Sequence, residues 1–166
     1  KLRGRFPWLI VNLFTSAVAA VVVMQFEGMI TEIALLAVMM PVIANQSGNA
    51  GQQSLAVTLR GIVLDQIRPN HSLMHVRREM IVGFLNGIVC GTLVGGIVVL
   101  GKIASGQSWH LGVVVAISMT ATLTIGCITG SAMPLIMRKL GFDPATASTI
   151  FLTMVTDSMS FLIFLG

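Results

Sequence analysis

Uncharged, mainly apolar runs alternate with short charged segments along the whole chain. Phe6–Phe26 lies between Arg5 and Glu27, Ile33–Leu59 between Glu32 and Arg60, and Met80–Gly101 between Glu79 and Lys102. Ile103–Met137 is longer, and Gly106-Gln107-Ser108-Trp109-His110 marks a turn near its start, leaving a helix from about Leu111. Pro144–Gly166 is the last run and is interrupted once, by Asp157. A helix needs about 20 apolar residues to cross a hydrocarbon core. The pattern therefore predicts five membrane-spanning helices, over residues 6–26, 33–59, 80–101, 111–137 and 144–166, in a single all-α integral membrane domain over 1–166. The first run is full length and lacks a small-residue cleavage site, which argues against a cleavable signal peptide. No period repeats along the sequence, and an odd number of spans has no simple internal two-fold. A symmetric pore then calls for a pair of chains. The basic residues leading from Lys1 straight into the first span read as the membrane part of a longer protein.

Composition narrows the function classes. The 166 residues are 55% hydrophobic and only 10% charged, with a mean hydropathy of +0.91. A soluble domain carries about a quarter of its residues as charged groups, so this chain cannot solvate a globular surface and a water-soluble enzyme is excluded. Two cysteines and abundant core-forming side chains exclude a disulfide scaffold and disorder. The net charge of +4 does not indicate nucleic acid, because the basic residues are spread between apolar runs. Lys1, Arg3, Arg5, Arg60, Arg68, Arg77, Arg78, Arg138 and Lys139 fall on one side of the predicted spans, and Lys102 alone on the other. The positive-inside rule then places the N-terminus in the cytosol and the C-terminus outside a cell membrane crossed several times.

Most unusual residues within the spans read as packing. Gly83, Gly87, Gly91 and Gly95 recur every fourth residue, which puts them on one helix face where another backbone can approach. Gly126 and Gly130 make a shorter version, and Asn12 and Asn86 read as interhelical hydrogen-bonding groups. Cys90 and Cys127 each stand alone in an apolar span, without the paired ligands of a metal or redox site. The eleven methionines read as apolar filling. His71, His75 and Glu79 are spaced i, i+4, i+8, a conceivable transition-metal face. Beside Arg77 and Arg78 they read instead as a solvated helix start capped by Asn70. Nothing pairs a nucleophile with a positioned base, so no enzyme is predicted.

Two regions resist a packing role. The second span contains Pro41-Val42-Ile43-Ala44-Asn45-Gln46-Ser47-Gly48-Asn49-Ala50-Gly51-Gln52-Gln53-Ser54. Unsatisfied amides are costly in lipid, and at 100° per residue Pro41, Asn45, Gly48, Asn49 and Gln52 share one side, which must meet protein or water. Pro41 and the glycines allow local unwinding that frees carbonyl oxygens. On the fifth span Thr146, Thr149, Thr153, Thr156, Asp157 and Ser160 fall within an arc of roughly 100°. Asp157 is about 20 Å along that helix from Pro144, near mid-membrane. A carboxylate there costs about 2.5–3.5 kcal/mol on insertion scales, and no Lys or Arg within a span neutralises it. It is therefore a candidate cation site; the bland alternative is a protonated Asp in an interhelical hydrogen bond.

The block Pro41-Val42-Ile43-Ala44 followed by Gly48-Asn49-Ala50-Gly51-Gln52-Gln53-Ser54 resembles the signature of the MgtE family of magnesium channels. Asp143-Pro144-Ala145 leading to Thr156-Asp157 is similar to that family too, as are Arg5-Phe6-Pro7-Trp8 and Phe26-Glu27-Gly28. The resemblance implies a homodimer with a Mg²⁺ pore at the subunit interface, lined by the second and fifth spans. It matches Asp157 to the pore aspartate and Asp143 to an acid at the cytosolic mouth. It also implies a cytosolic N-terminal domain and a CBS pair in the full-length protein. Elementary chemistry agrees. Mg²⁺ demands six oxygens in octahedral array and dehydrates reluctantly, and two Asp157 carboxylates cannot replace its shell. A ring of acceptors for the bound waters fits better: Asp157, Thr153, and amides or carbonyls around Asn49. The metal residues expected are thus Asp157, Asp143, Asn49 and Thr153. The pore lining expected is Pro41, Asn45, Gly48, Gln52, Thr146, Thr149, Thr156 and Ser160. Mn²⁺ and Co²⁺ are alternative cargo, and membrane lipid is the other partner. The closest rival function is a proton- or sodium-coupled divalent-cation transporter; Asp157 as the one acid well inside a span favours a channel. A non-transporting membrane assembly subunit would leave both polar faces unexplained.

Overall fold

The computed structural model describes residues 2–67 and 72–166, and among these residues there are six α-helices. They are α1 (Leu2–Met24), α2 (Glu27–Glu32), α3 (Ala34–Val63), α4 (Ser72–Ala104), α5 (His110–Lys139) and α6 (Pro144–Leu165). Among the described residues, three segments are long and apolar enough to cross a membrane: Ser72–Ala104, His110–Lys139 and Ala147–Leu165. Leu9–Met24 of α1 is apolar but shorter. The 30-residue α3 carries the amide-rich block, which lowers its hydropathy.

Two boundaries differ from the reading of charge-free runs. Residues 27–32, between the first two charge-free runs, form a short helix. The third long helix is described from Ser72, ahead of the charge-free run at 80 and in keeping with a helix start beside Asn70, because His75, Arg77, Arg78 and Glu79 extend it at its N-terminal end. Charge ends an apolar run, but it does not end a helix. Helix α3 runs as one helix through Pro41, Gly48 and Gly51, without the local unwinding those residues allow. Arg68, Asn70 and His71, and the side chain of Thr146, lie outside the described part.

Glycine separations set the packing. A Cβ on Gly83 would meet Cys127 at 2.8 Å, on Gly87 the Thr120 backbone at 2.8 Å, on Gly91 the Ala116 carbonyl at 2.5 Å, and on Gly95 the Gly112 carbonyl at 2.6 Å. The four-residue stripe is thus the seam on which α4 lies against α5, as its spacing implied. The other face of α5 meets α3, where a Cβ on Gly126 would lie 2.5 Å from the Ser47 carbonyl and one on Gly130 2.1 Å from the Gly51 carbonyl. Helix α5 is therefore central, with α3, α4 and α6 around it, while α1 packs on α6. Ile43, Val115, Leu36, Phe164 and Leu165 form the buried apolar cluster where α3, α5 and α6 converge. Large apolar side chains on the outer faces of α1 and α4, among them Phe14, Ile97 and Leu100, are exposed, the inverse of a soluble domain. Asn86 is also on the exposed side of α4, away from the seam its neighbouring glycines make.

Helix ends follow backbone chemistry. After α5, Phe142 N–H donates to the Met137 carbonyl at 3.0 Å and Gly141 N–H to that of Arg138 at 3.3 Å. Gly141 has φ +76, the left-handed residue that such a cap requires. The end of α3 makes the same pattern, Gln66 to Gly61 and Asp65 to Ile62, with Asp65 at φ 56 in the glycine position.

Candidate functional site

The amide-rich face of α3 and the hydroxyl-rich face of α6 meet in one polar cavity. Its volume is about 230 Å³, and it is lined by Ala44, Asn45, Gly48, Asn49, Gln52, Leu152, Thr153, Thr156 and Asp157. On α3, Asn45, Asn49 and Gln52 are exposed, whereas Ser47, Gly51, Ser54, Leu55 and Thr58 are buried on the opposite side. One helix thus separates a packing face from a polar one. Gly48 opens the floor of the cavity: a Cβ there would still lie 4.0 Å from Thr156 Oγ1.

Hydrogen-bond direction gives the α6 wall its chemistry. Thr149 donates its hydroxyl hydrogen to the Ala145 carbonyl at 3.3 Å and Thr153 to that of Thr149 at 3.0 Å. Thr156 donates to the carbonyls of Leu152 at 3.0 Å and Thr153 at 3.2 Å. A hydroxyl has a single hydrogen, so these oxygens are left with lone pairs only. Half-buried Asp157 has no hydrogen-bond or ion-pair partner among the described residues. The side chains of Asn45, Asn49 and Gln52 add amide oxygens able to accept hydrogen bonds beside the Asp157 carboxyl. Such a surface suits a cation that keeps its water shell. Six waters occupy about 180 Å³ at their liquid volume of about 30 Å³ each, which the cavity can contain. Among the described residues, no group of three His, Cys, Asp or Glu side chains could hold a metal directly.

Of the remaining sequence candidates, Pro41 is exposed and Thr149 is exposed on α6, both outside this cavity. Ser160 is 1% exposed, inside the chain's own interior, and its hydroxyl has no hydrogen-bond partner among the described residues. Asp143 is exposed just before α6; its Oδ1 accepts from Ala145 N–H at 3.3 Å, an N-cap arrangement with Pro144 in the first helical position.

Sequence reasoning missed a second polar cluster. The solvated reading of His75 and Glu79 is corrected: both are half-buried on α4 and hydrogen-bonded to α3. Glu79 is consequently a second acid within a long apolar helix, and counting acids no longer separates a channel from a coupled transporter. The signal available was the stripe Ser47, Gly51, Ser54 and Thr58, small or hydroxylated residues at helical spacing.

The model of the MgtE family, described as a divalent cation transporter, matches residues 40–166. The chain is similar to the magnesium transporter MgtE of Bacillus subtilis, 36% identical over 162 residues, which cover 98% of this chain and 35% of that protein. It is 34% identical over 160 residues to the magnesium transporter MgtE of Enterococcus faecalis, with 96% and 34% of the two chains covered. The magnesium transporter MgtE of Thermus thermophilus is 27% identical over 163 residues, 98% of this chain and 35% of that one. The chain spans about a third of the length of these curated relatives.

Proposed function

The chain belongs to the MgtE family of divalent cation transporters, and from that premise we propose that it forms the membrane pore of a Mg²⁺ channel passing the ion largely hydrated. The observation that carries this reading is the cavity in which Asp157 faces Asn45, Asn49 and Gln52 among hydroxyls that can only accept. In this reading α1, α3, α4, α5 and α6 all cross the cell membrane, with the N-terminus cytosolic. Two chains pair about an axis beside α3 and α6. Pairing explains why a polar wall is exposed on one chain in a membrane: it faces the partner and water instead of lipid. Each chain contributes one Asp157, and the two carboxylates attract a divalent ion without stripping it. Weak, water-mediated contact lets the ion leave as readily as it enters. Mn²⁺ and Co²⁺, of the same charge, are alternative cargo. Cytosolic regulatory domains in the remainder of the full-length protein would control opening. Single-channel recording in planar bilayers with Mg²⁺ as the charge carrier tests the mechanism. Unitary currents are expected; flux without them, tied to a proton or Na⁺ gradient, would replace the channel with a coupled transporter.

Asn49→Leu should lower Mg²⁺ uptake into liposomes severalfold while leaving the dimer intact, since it replaces one acceptor in the wall, worth about 0.5–1.5 kcal/mol. Uptake equal to the parent's would return this face of α3 to packing.

Asp143 is proposed as an accessory ligand at the cytosolic mouth. Asp143→Asn preserves the N-cap, because Asn caps as well as Asp, but removes the charge. At an exposed, screened site the loss should be modest, about threefold in divalent affinity by calorimetry. Unchanged affinity would leave Asp143 only its cap.

A further inference from the structure

Helices α3 and α4 each pack on α5 rather than on one another, yet two hydrogen bonds tie them together. Ser54 Oγ donates to Glu79 Oε2 at 2.6 Å, a short O–H···O bond. One turn further along both helices, Thr58 Oγ1 and His75 Nε2 are 2.8 Å apart. Thr58 gives its hydrogen to the Ser54 carbonyl at 2.8 Å, so its lone pairs face the imidazole and the Nε2–H is the donor. Ser54 is 3% exposed and Thr58 0%. Buried hydroxyls aimed at an acid and an imidazole across a groove hold one helix in one rotational setting. The helix so held is α3, whose other face presents Asn49 and Gln52 to the cavity; Ser54 is only two residues beyond Gln52. A small rotation of α3 at Ser54 would turn those amides away from Asp157.

We propose that Glu79, supported by His75, is a positioning residue for the cation path: through Ser54 and Thr58 it fixes the rotation of α3 and thereby the aim of Asn49 and Gln52. This rests on the reading of the α3–α6 cavity as the path. Glu79 never contacts the ion and acts only through the hydroxyl it holds.

The test uses the full-length protein in liposomes, with Mg²⁺ uptake measured across a concentration series. Glu79→Ala, Glu79→Gln, Ser54→Ala and the Glu79→Ala/Ser54→Ala double variant are compared with Asp157→Asn, and each is melted in detergent. Glu79→Ala and Ser54→Ala should each raise the Mg²⁺ concentration for half-maximal uptake about tenfold, the worth of a hydrogen bond to a charged group. The double variant should be no worse than either single one, because both remove the same tie. Glu79→Gln keeps an oxygen that accepts from Ser54, but as a neutral and weaker bond, and should raise that concentration only about threefold. The proposal is overturned if Glu79→Ala matches the parent, if Glu79→Gln fails as badly as Glu79→Ala, or if the losses merely follow the melting temperatures. Asp157→Asn separates the two ideas: if it abolishes uptake while Glu79→Ala does not alter it, the cavity remains the path and only the positioning role falls. Parental uptake by Asp157→Asn would remove the underlying reading itself.

Discussion

Asp157→Asn is expected to reduce Mg²⁺ flux into liposomes by about tenfold to a hundredfold, with no change in elution volume on size exclusion. The substitution keeps the volume of the side chain, so α6 should pack as before, with Thr156 and Ser160 still buried beside it. What it removes is negative charge at the one acid lining the α3–α6 cavity. Hydrogen bonds to charged groups contribute about 1.5–3 kcal/mol, and one such bond per carboxylate to a water of the ion's shell gives the stated range. Neutralising Asp157 affects both chains of the proposed dimer, where paired carboxylates titrate together and a divalent ion favours the doubly ionised form. Asp157→Glu should also impair passage, because an extra methylene pushes the carboxylate into the space a hydrated ion occupies. Parental flux in both variants would remove Asp157 from the path.

Gly130→Ala should produce the largest structural effect. The added Cβ would lie 2.1 Å from the Gly51 carbonyl oxygen and 2.9 Å from its carbonyl carbon. Backbone atoms cannot rotate away as a side-chain tip can, so α3 and α5 must separate. Overpacking costs about 1–3 kcal/mol, occasionally more, and here the separation also strains the bond from Ser47 Oγ to the Thr122 carbonyl, 2.8 Å long. A clear drop in melting temperature in detergent is expected, together with loss of flux, since α3 carries half of the cavity. Gly96→Ala is the control on α4: nothing lies within 4 Å of its Cβ. Ala should be neutral or stabilising there, by up to about 1 kcal/mol from helix propensity. Equal melting of the two variants would contradict the packing of α3 on α5.

Which parts of this molecule were legible in its sequence follows from what each pattern reports. Four glycines at a strict four-residue interval identify a close helix seam, and α4 lies on α5 along that seam. The angular clustering of Asn45, Gly48, Asn49 and Gln52 on one helix, and of Thr153, Thr156 and Asp157 on another, describes side chains that share the cavity. Angular position alone does not say how far around a helix the protein interior reaches. Ser160 lies in the same arc as Asp157 but is buried against the chain's own core. Charge-free runs located the long helices while misplacing the start of α4, because a helix can carry His75 and Glu79 where neighbouring hydroxyls satisfy them. That partnership joins residues 25 and 17 positions apart, and no local period encodes such a pairing. The continuity of α3 through Pro41 agrees with the single span read over 33–59, since a proline removes one hydrogen bond without necessarily ending a packed helix.

The central claim is that a divalent ion occupies the α3–α6 cavity and is recognised through its water shell. Anomalous diffraction from crystals of the full-length protein grown with Mn²⁺ tests it most directly. A dimer is expected with an anomalous peak on its two-fold axis, level with the Asp157 carboxylates of both chains. Direct ligation of Mg²⁺ needs oxygens at about 2.0–2.1 Å, and the peak should lie farther from the carboxylates than that, with waters between. A peak absent from that axis while Mn²⁺ binds elsewhere on the protein would contradict it.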